Sequence, residues 1–183
     1  MSQALLIALG GNPNTGKSTI FNGLTGLKQH TGNWPGKTVL QARGKYRYQG
    51  QIYEVVDLPG TYSLLANSPE EEVARDFLCS SFPVATVVVV DVTCLERNLN
   101  LVLQVLEITA KVVVCANFMD EAKRLNLRLD LPLLEQELGV PVIPTTGTTK
   151  NGLPQLKDAI ARVAGGQLRG QPFSILEKLE ARS

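Results

Sequence analysis

The chain has 183 residues, of which 44% are hydrophobic, and a formal net charge of +1 at pH 7, which is typical of one globular domain, with or without a tail. The near-neutral charge, the absence of lysine or arginine clusters and the 5% aromatic content argue against a nucleic-acid-binding surface. The single histidine, His30, argues against a histidine-based zinc site and a Ser–His–Asp triad, and no stretch reaches the ~20 apolar residues of a membrane span.

The first third of the chain predicts a strand, a helix and a hairpin. The short apolar run at 4–9, ALLIAL, stops at Gly10 and indicates a buried strand. The segment STIFNGLTG follows as a helix that ends near Gly26. Residues 43–57 carry period-2 stretches on both sides of a turn at Gln49 and Gly50, which is typical of a hairpin.

The remainder predicts helices and strands in alternation. Ser68, Pro69 and Glu71 open a helix with a capping-box pattern. The β-branched runs at 85–92 and 110–117 are too apolar for an exposed sheet and indicate strands covered on both faces. Leucines and valines at helical spacing fill LERNLNLVLQVLEIT between them. The segments LPLLEQELG, VPVIPT and GLPQLKDAIARVAGG predict a helix, a strand and a last helix.

This order of elements predicts an α/β fold. A mainly parallel six-stranded sheet is flanked by helices and carries one antiparallel hairpin. We expect one domain over residues 1–164. Residues 165–183 are interpreted as a linker and a short helical tail that is too small to form a core of its own.

The stretch between the first strand and the first helix predicts a phosphate-binding loop. It fits the pattern G-x-x-x-x-G-K-[ST], in which glycines let successive N–H groups face phosphate oxygens and the helix N-terminus adds its dipole. Lys17 is expected to contact the β- and γ-phosphates and Ser18 to ligate Mg²⁺. An ordinary glycine-rich turn is the alternative, which the flanking strand and helix disfavour. The predicted nucleotide-binding residues here are Gly11, Asn12, Pro13, Asn14, Thr15, Gly16, Lys17, Ser18 and Thr19.

Three later stretches at strand ends indicate a guanine nucleotide. DLPG ends the hairpin, so Asp57 is expected to hold Mg²⁺ through water and the amide of Gly60 to sense a γ-phosphate, with Leu58 and Pro59 between them. NFMD fits N-x-x-D with Met119 as an apolar third residue. Asp120 would accept hydrogen bonds from the guanine N1–H and N2–H₂, and Asn117 would brace the base and the loop. TTGTTKNG follows the last strand and places Thr146, Gly147 and Thr148 at the base.

The three cysteines carry no evident chemistry. Cys79, Cys94 and Cys115 are widely spaced, form no CxxC pair and do not match the spacing of metal ligands. We interpret them as reduced, mostly buried thiols of a cytosolic protein, with a redox or catalytic role as the alternative.

Several longer stretches resemble one family, the N-terminal cytosolic G domain of ferrous-iron transport protein B, a bacterial iron(II) transporter. The matching stretches are GNPNTGKSTIFNGLTG, GNWPGKTV, VVDLPGTYSL, VVVVDVTCLERNLNL and NFMDEA, and the similarity runs from residue 3 to about residue 163. The resemblance implies a P-loop GTPase (Ras-like) fold that binds GTP and GDP with Mg²⁺. It also implies a switch that regulates ferrous iron transport at the cytoplasmic face of the bacterial inner membrane.

The resemblance places switch I at TGNWPGKT and adds Asn33, Trp34, Pro35, Gly36, Lys37 and Thr38 to the nucleotide site. Thr38 matches the switch threonine, whose hydroxyl ligates Mg²⁺ and whose backbone reaches the γ-phosphate. The loop is expected to be mobile without GTP. Trp34 and Pro35 as a hydrophobic plug on the domain are the alternative. Lys37 departs from the small apolar residue usual in the family.

The resemblance also implies a catalytic mechanism. Thr61 stands where Ras-like GTPases place a water-positioning glutamine, so slow intrinsic hydrolysis is expected. Asn14 matches an asparagine that coordinates K⁺, which would stabilise charge between the β- and γ-phosphates. A turn role for Asn14 is the alternative. The predicted catalytic residues are Lys17, Asn14, Thr38 and Gly60, and the predicted metal ligands are Ser18, Thr38 and Asp57 for Mg²⁺ and Asn14 for K⁺.

The family continues into a helical regulatory domain and a transmembrane permease, which are the expected partners in cis. This chain ends in FSILEKLEARS, so we interpret residues 165–183 as the start of a truncated helical regulatory domain and the chain as a piece of a longer gene product. A free-standing soluble G domain is the alternative. The alternative function is a soluble GTP/GDP-binding assembly factor of the ribosome-maturation type. The missing basic extension disfavours it, and no nucleic-acid partner is expected.

Overall fold

The computed structural model describes residues 3–27 and 29–167. The strands are β1 (Leu5–Gly11), β2 (Gln29–Asn33), β3 (Leu40–Tyr48), β4 (Gln51–Asp57), β5 (Ala85–Asp91), β6 (Val112–Asn117) and β7 (Val142–Pro144). The helices are α1 (Lys17–Thr25), α2 (Pro69–Ser80), α3 (Leu95–Ile108), α4 (Met119–Arg124), α5 (Leu131–Leu138) and α6 (Leu153–Ala164). The α/β fold predicted from the sequence is confirmed.

The strands form one sheet in the order β2-β3-β4-β1-β5-β6-β7. Strand β1 lies in the centre and pairs in parallel with β4 and β5, and the pairs β5–β6 and β6–β7 are also parallel. The predicted hairpin is β3 and β4, joined at Gln49 and Gly50. The carboxyl ends of β1, β4, β5, β6 and β7 therefore meet at one edge of the sheet, where the loops that follow them can form a site.

The prediction of six strands is wrong, because β2 adds a seventh strand at the sheet edge. All five residues of β2 are exposed, and it pairs antiparallel with β3 from Gln29 opposite Gly44 to Asn33 opposite Leu40. Backbone hydrogen bonds to β3 hold this strand, and no side chain of it is buried. Its sequence, QHTGN, therefore lacks the alternation of polar and apolar residues that reveals a half-buried strand.

The core lies on both faces of the sheet. In β5 every residue from Ala85 to Val90 is buried. Val88 and Val90 pack in the layer that contains Phe77 of α2 and Val102 of α3, whereas Val87 and Val89 pack in the layer with α1 and α6. Side chains that alternate between two covered faces explain why this strand reads as a continuous apolar run.

The helix starts follow from local chemistry. Ser68 caps α2 by accepting a hydrogen bond from the Glu71 N–H at 3.2 Å, as the sequence predicts, and the Glu71 carboxylate accepts from the Asn67 N–H at 3.0 Å. The short helix α4 begins at Met119, two residues after Asn117, and has no counterpart among the elements that the sequence predicts. No helix within residues 3–27 and 29–167 is both long and apolar enough to cross a membrane.

The structure buries one of the three cysteines. Cys115 is buried, but Cys79 and Cys94 are exposed, so the expectation that the cysteines are mostly buried is wrong for these two.

The predicted linker and tail at 165–183 fall mainly on residues 168–183, which lie outside the described residues. The division into a domain at 1–164 and a tail therefore stays a prediction.

Candidate nucleotide-binding site

The phosphate-binding loop connects the end of β1 to the start of α1. At Gly11 a Cβ atom would lie 2.6 Å from the Val89 carbonyl oxygen, so the strand has no room for a side chain there. Gly16 has a φ of 81°, and a Cβ atom on it would lie 2.3 Å from Nδ2 of Asn117. The two glycines of the motif are thus required by close packing and by backbone conformation.

The interior of the loop is held by its own atoms. The Thr15 hydroxyl donates a hydrogen bond to the Asn12 carbonyl oxygen at 3.0 Å, and Thr15 itself is buried. Asn14 is exposed and has a φ of 63°, which asparagine tolerates better than most residues. The loop surrounds a depression of about 420 Å³, which is lined by Asn12, Pro13, Asn14, Gly16, Lys17, Ser18 and Gly60.

Charge in the depression is balanced by an ion pair. The Lys17 ammonium, in the first turn of α1, donates to Oδ1 of Asp57 at the end of β4. Burial raises the pKa of Asp57, while the charge and the hydrogen bond of Lys17 oppose that rise. An ammonium group and a carboxylate, which can bind a phosphate and a divalent cation respectively, are therefore neighbours.

The DLPG segment crosses directly beside the phosphate-binding loop. The Leu58 N–H donates to the Leu9 carbonyl at 2.9 Å, and the Thr61 N–H donates to the Gly11 carbonyl at 3.2 Å. A Cβ atom on Gly60 would lie 3.4 Å from the backbone of Pro13. The backbone of Gly60 thus lies against the depression.

Asn117 joins the phosphate-binding loop to the loop that follows β7. Its Nδ2 donates to the Thr15 carbonyl at 3.0 Å. Its Oδ1 accepts from the Gly147 N–H at 3.0 Å and from the Thr145 hydroxyl at 3.1 Å. The side chain is only 1% exposed, so these hydrogen bonds form inside the protein, where an unpaired amide would be costly.

The end of the site away from the phosphate-binding loop is formed by α4 and the loop after β7. The Met119 N–H donates to the Thr145 carbonyl at 3.2 Å, which fixes the first turn of α4. Asp120 lies in that turn with its side chain exposed, and Thr148 is also exposed. Gly147 is buried, and a Cβ atom on it would lie 3.2 Å from the methyl group of Thr19.

Sequence reasoning missed Phe118. Its φ of 66° and its position between Asn117 and α4 turn its ring toward the phosphate-binding loop, where a Cβ atom on Gly16 would lie 3.2 Å from it. The signal in the sequence is an aromatic residue directly after Asn117 in NFMD.

The structure does not place residues 33–38 at the depression. Trp34 is 9% exposed and packs edge-on against Phe77 of α2, with ring centroids 5.4 Å apart. The backbone N–H of Trp34 donates to the Val39 carbonyl at 2.8 Å, and the Lys37 ammonium pairs with Glu72 of α2. Trp34 therefore lies where the plug interpretation expects it. Asn33, Pro35, Gly36 and Thr38 are exposed.

A sequence model of the family described as Ferrous iron transport protein B matches residues 5–160. The chain belongs to this family. The match includes the phosphate-binding loop, DLPG, NFMD and the loop after β7, and it also includes the segment around Trp34.

Relatives and solved structures agree with this assignment. The chain is 43% identical over 162 residues to a fusion protein of Fe(2+) transport protein A and Fe(2+) transporter FeoB from Porphyromonas gingivalis, covering 88% of this chain and 19% of the relative. It is equally identical to the Fe(2+) transporter FeoB of Shigella flexneri, covering 86% and 21%. The chain therefore spans about a fifth of the length of these relatives.

The crystal structure of the G domain of T. maritima FeoB superimposes with a TM-score of 0.83 at 40% identity, covering 88% of this chain and 99% of that one. The fold described above is thus that of a FeoB G domain.

Proposed function

We propose that this chain is a Mg²⁺-dependent GTPase that acts as the switch of a ferrous iron transporter. The observation that carries the proposal is the position of Asn117. Its side chain forms hydrogen bonds both to the phosphate-binding loop and to the loop after β7, and the same NFMD motif presents Asp120. A nucleotide whose phosphates lie over the phosphate-binding loop would place its base near the loop after β7.

Guanine recognition is assigned to Asp120. Its carboxylate is exposed at the start of α4 and has no hydrogen-bond or ion-pair partner among residues 3–27 and 29–167. Two carboxylate oxygens match the N1–H and N2–H₂ donors of guanine, which adenine lacks. Met119, Thr146, Gly147 and Thr148 are proposed to surround the base.

Phosphates and Mg²⁺ are assigned to the opposite end of the site. Lys17 would exchange Asp57 for the β- and γ-phosphates, with backbone N–H groups of the loop around them. The fit to Mg²⁺ rests on oxygen donors: Ser18 lines the depression, and the Asp57 carboxylate reaches Lys17 beside it. Bound Mg²⁺ would neutralise charge on the β- and γ-phosphates. Thr38 can complete this site only if residues 34–39 leave their position against α2.

Hydrolysis is proposed to be slow and to be accelerated by K⁺. Thr61 is 5% exposed, so its side chain is poorly placed to orient an attacking water. Gly60 is proposed to donate its amide to the γ-phosphate. Asn14 is exposed at the rim of the depression, and its side-chain amide has no partner among the described residues, so its oxygen is available to a monovalent cation. The φ of 63° is equally consistent with the turn role.

The cellular role is proposed from the relatives, which are named as Fe(2+) transporters. We place the chain at the cytoplasmic face of the bacterial inner membrane, with a helical regulatory domain and an iron permease in cis. The comparisons favour this role over the ribosome-maturation alternative.

Calorimetry on the variant Asp120→Asn tests guanine recognition. An amide in place of the carboxylate presents a donor to the guanine donors, so GTP affinity should fall by about 1–3 kcal/mol. Xanthosine triphosphate, which carries a carbonyl oxygen in place of the 2-amino group, should bind the variant better than it binds the wild type. The matched control is Asp158→Asn on α6, whose carboxylate pairs with Arg162 of the same helix, and it should leave both affinities unchanged. ATP binding to the wild type as tightly as GTP would contradict the assignment.

A further inference from the structure

One face of α3 contacts the loop that follows DLPG. The guanidinium carbon of Arg97 lies 4.6 Å from the centroid of the Tyr62 ring. Nδ2 of Asn100 donates to the Tyr62 carbonyl at 3.4 Å, and Oε1 of Gln104 accepts from the Leu64 N–H at 2.6 Å. Positions 97, 100 and 104 are three and four residues apart, so they lie on the same face of the helix.

Gln104 makes the strongest of these three contacts. Leu64 is 7% exposed, so its backbone N–H lies largely inside the protein and needs a partner there. Arg97, Asn100 and Tyr62 are exposed, and contacts between exposed groups of this kind contribute less. Loss of the Gln104 oxygen would leave the Leu64 N–H without its partner.

The same loop is fixed at its other end by the phosphate-binding loop. The Thr61 N–H donates to the Gly11 carbonyl at 3.2 Å, and Gly60 lies against Pro13. Residues 61–64 are therefore held at two anchors: the phosphate-binding loop holds Thr61, and α3 holds Leu64. A change at the second anchor alters the path of a segment only four residues long.

We propose, on the basis of the GTP hydrolysis proposed above, that Gln104 is a positioning residue for that reaction, supported by Arg97 and Asn100. Through the Leu64 N–H it holds residues 61–64 so that the amide of Gly60 faces the γ-phosphate. This proposal assigns a role to the face of α3 that begins in the LERNLNL stretch. The nucleotide-binding motifs do not account for the residues on that face. Because GDP has no γ-phosphate, the anchor should affect turnover and leave GDP affinity unchanged.

The test compares Gln104→Leu with Gln104→Glu in the 183-residue chain. Leucine removes the acceptor oxygen at similar size, whereas glutamate keeps an oxygen that accepts from Leu64. Misalignment of a reacting group by about 1 Å lowers rates by up to ~100-fold, so we expect kcat for GTP to fall roughly 10- to 100-fold in Gln104→Leu. Gln104→Glu should keep most of the wild-type rate, and the GDP dissociation constant should not change in either variant. Gln136→Leu on α5, an exposed site, is the matched control and should behave as the wild type.

Hydrogen exchange at the Leu64 amide is measured alongside turnover in each variant. Faster exchange in Gln104→Leu than in Gln104→Glu, together with the selective loss of kcat, supports the positioning role. Wild-type turnover and unchanged Leu64 exchange in Gln104→Leu would overturn it. If the wild type hydrolyses no GTP, the proposed function fails, and unchanged Leu64 exchange would separately refute the anchor.

Discussion

The two ends of the candidate site are held by different kinds of interaction. The base end comprises NFMD and the loop after β7. There Asn117 makes hydrogen bonds to the backbone of Thr15 and Gly147 and to the Thr145 hydroxyl, all between uncharged groups. The switch end comprises the phosphate-binding loop, DLPG and residues 33–38, and there charged side chains pair with each other: Lys17 with Asp57, and Lys37 with Glu72.

This difference indicates which end responds to the nucleotide. The hydrogen bonds of Asn117 connect loops and can persist when a base binds. In the proposed function, Lys17 and Asp57 would instead exchange each other for phosphate and metal, and residues 34–39 would leave α2 before Thr38 reaches a cation. The Lys37–Glu72 pair is partly exposed, so its loss should cost little. We therefore expect a preformed base end and a switch end that changes with the bound nucleotide.

The largest expected effect is that of Lys17→Ala. Removal of the ammonium should lower GTP turnover by roughly 10³-fold, equivalent to about 4 kcal/mol of transition-state stabilisation. The measurement is phosphate release, with circular dichroism to establish that the variant is folded. Lys111→Ala, at an exposed lysine outside the site, is the control. Normal turnover in a folded Lys17→Ala variant would refute the phosphate-binding role of the loop.

An intermediate effect is expected for Asn117→Ala. The change leaves the Gly147 N–H without its partner and removes the link to Thr15, so the free energy of unfolding should fall by about 2–4 kcal/mol. Urea denaturation without nucleotide measures this loss. Asn67→Ala, at an exposed side chain, should change stability by less than about 0.5 kcal/mol. Equal stability of the two variants would mean that the base end is not braced by Asn117.

The smallest effect is expected for Glu72→Gln. Loss of the charge releases Lys37, and a partly exposed ion pair is worth less than about 1 kcal/mol. Trp34, the single tryptophan, lies on this segment, so its emission without nucleotide should shift toward that of a more exposed indole. The double variant Lys37→Glu/Glu72→Lys restores opposite charges and should restore the emission. Identical spectra in all three proteins would show that the ion pair does not hold the segment.

The fold was predictable because its signals are local. The β-branched runs of β5 and β6 indicate buried strands. The glycines, Lys17 and Ser18 between β1 and α1 indicate a phosphate-binding loop. Each of these signals lies within a short stretch of sequence. Since loops after parallel strands meet at one edge, four motifs could be assigned to one site. Strand β2 was missed because its exposed polar residues have no periodicity.

Contacts between distant segments were not predictable in the same way. Lys37 and Glu72 are 35 residues apart, and Leu64 and Gln104 are 40 apart. Each of these residues is ordinary in its own helix or loop, so no local pattern distinguishes it. The sequence left two interpretations open for Trp34, and the ring of Phe77, on another element, is what places it in the core.

Hydrogen exchange is the sharpest test of the contrast between the two ends. The wild-type chain is compared without nucleotide, with GDP and with a non-hydrolysable GTP analogue. We predict that the Gly147 amide, which donates to Asn117, stays protected in all three states. The amides of Trp34 and Lys37, which close the turn at 34–39, should exchange at a different rate once the GTP analogue binds. An unprotected Gly147 amide without nucleotide, with equal rates at Trp34 and Lys37 in the GDP and GTP-analogue states, would contradict it.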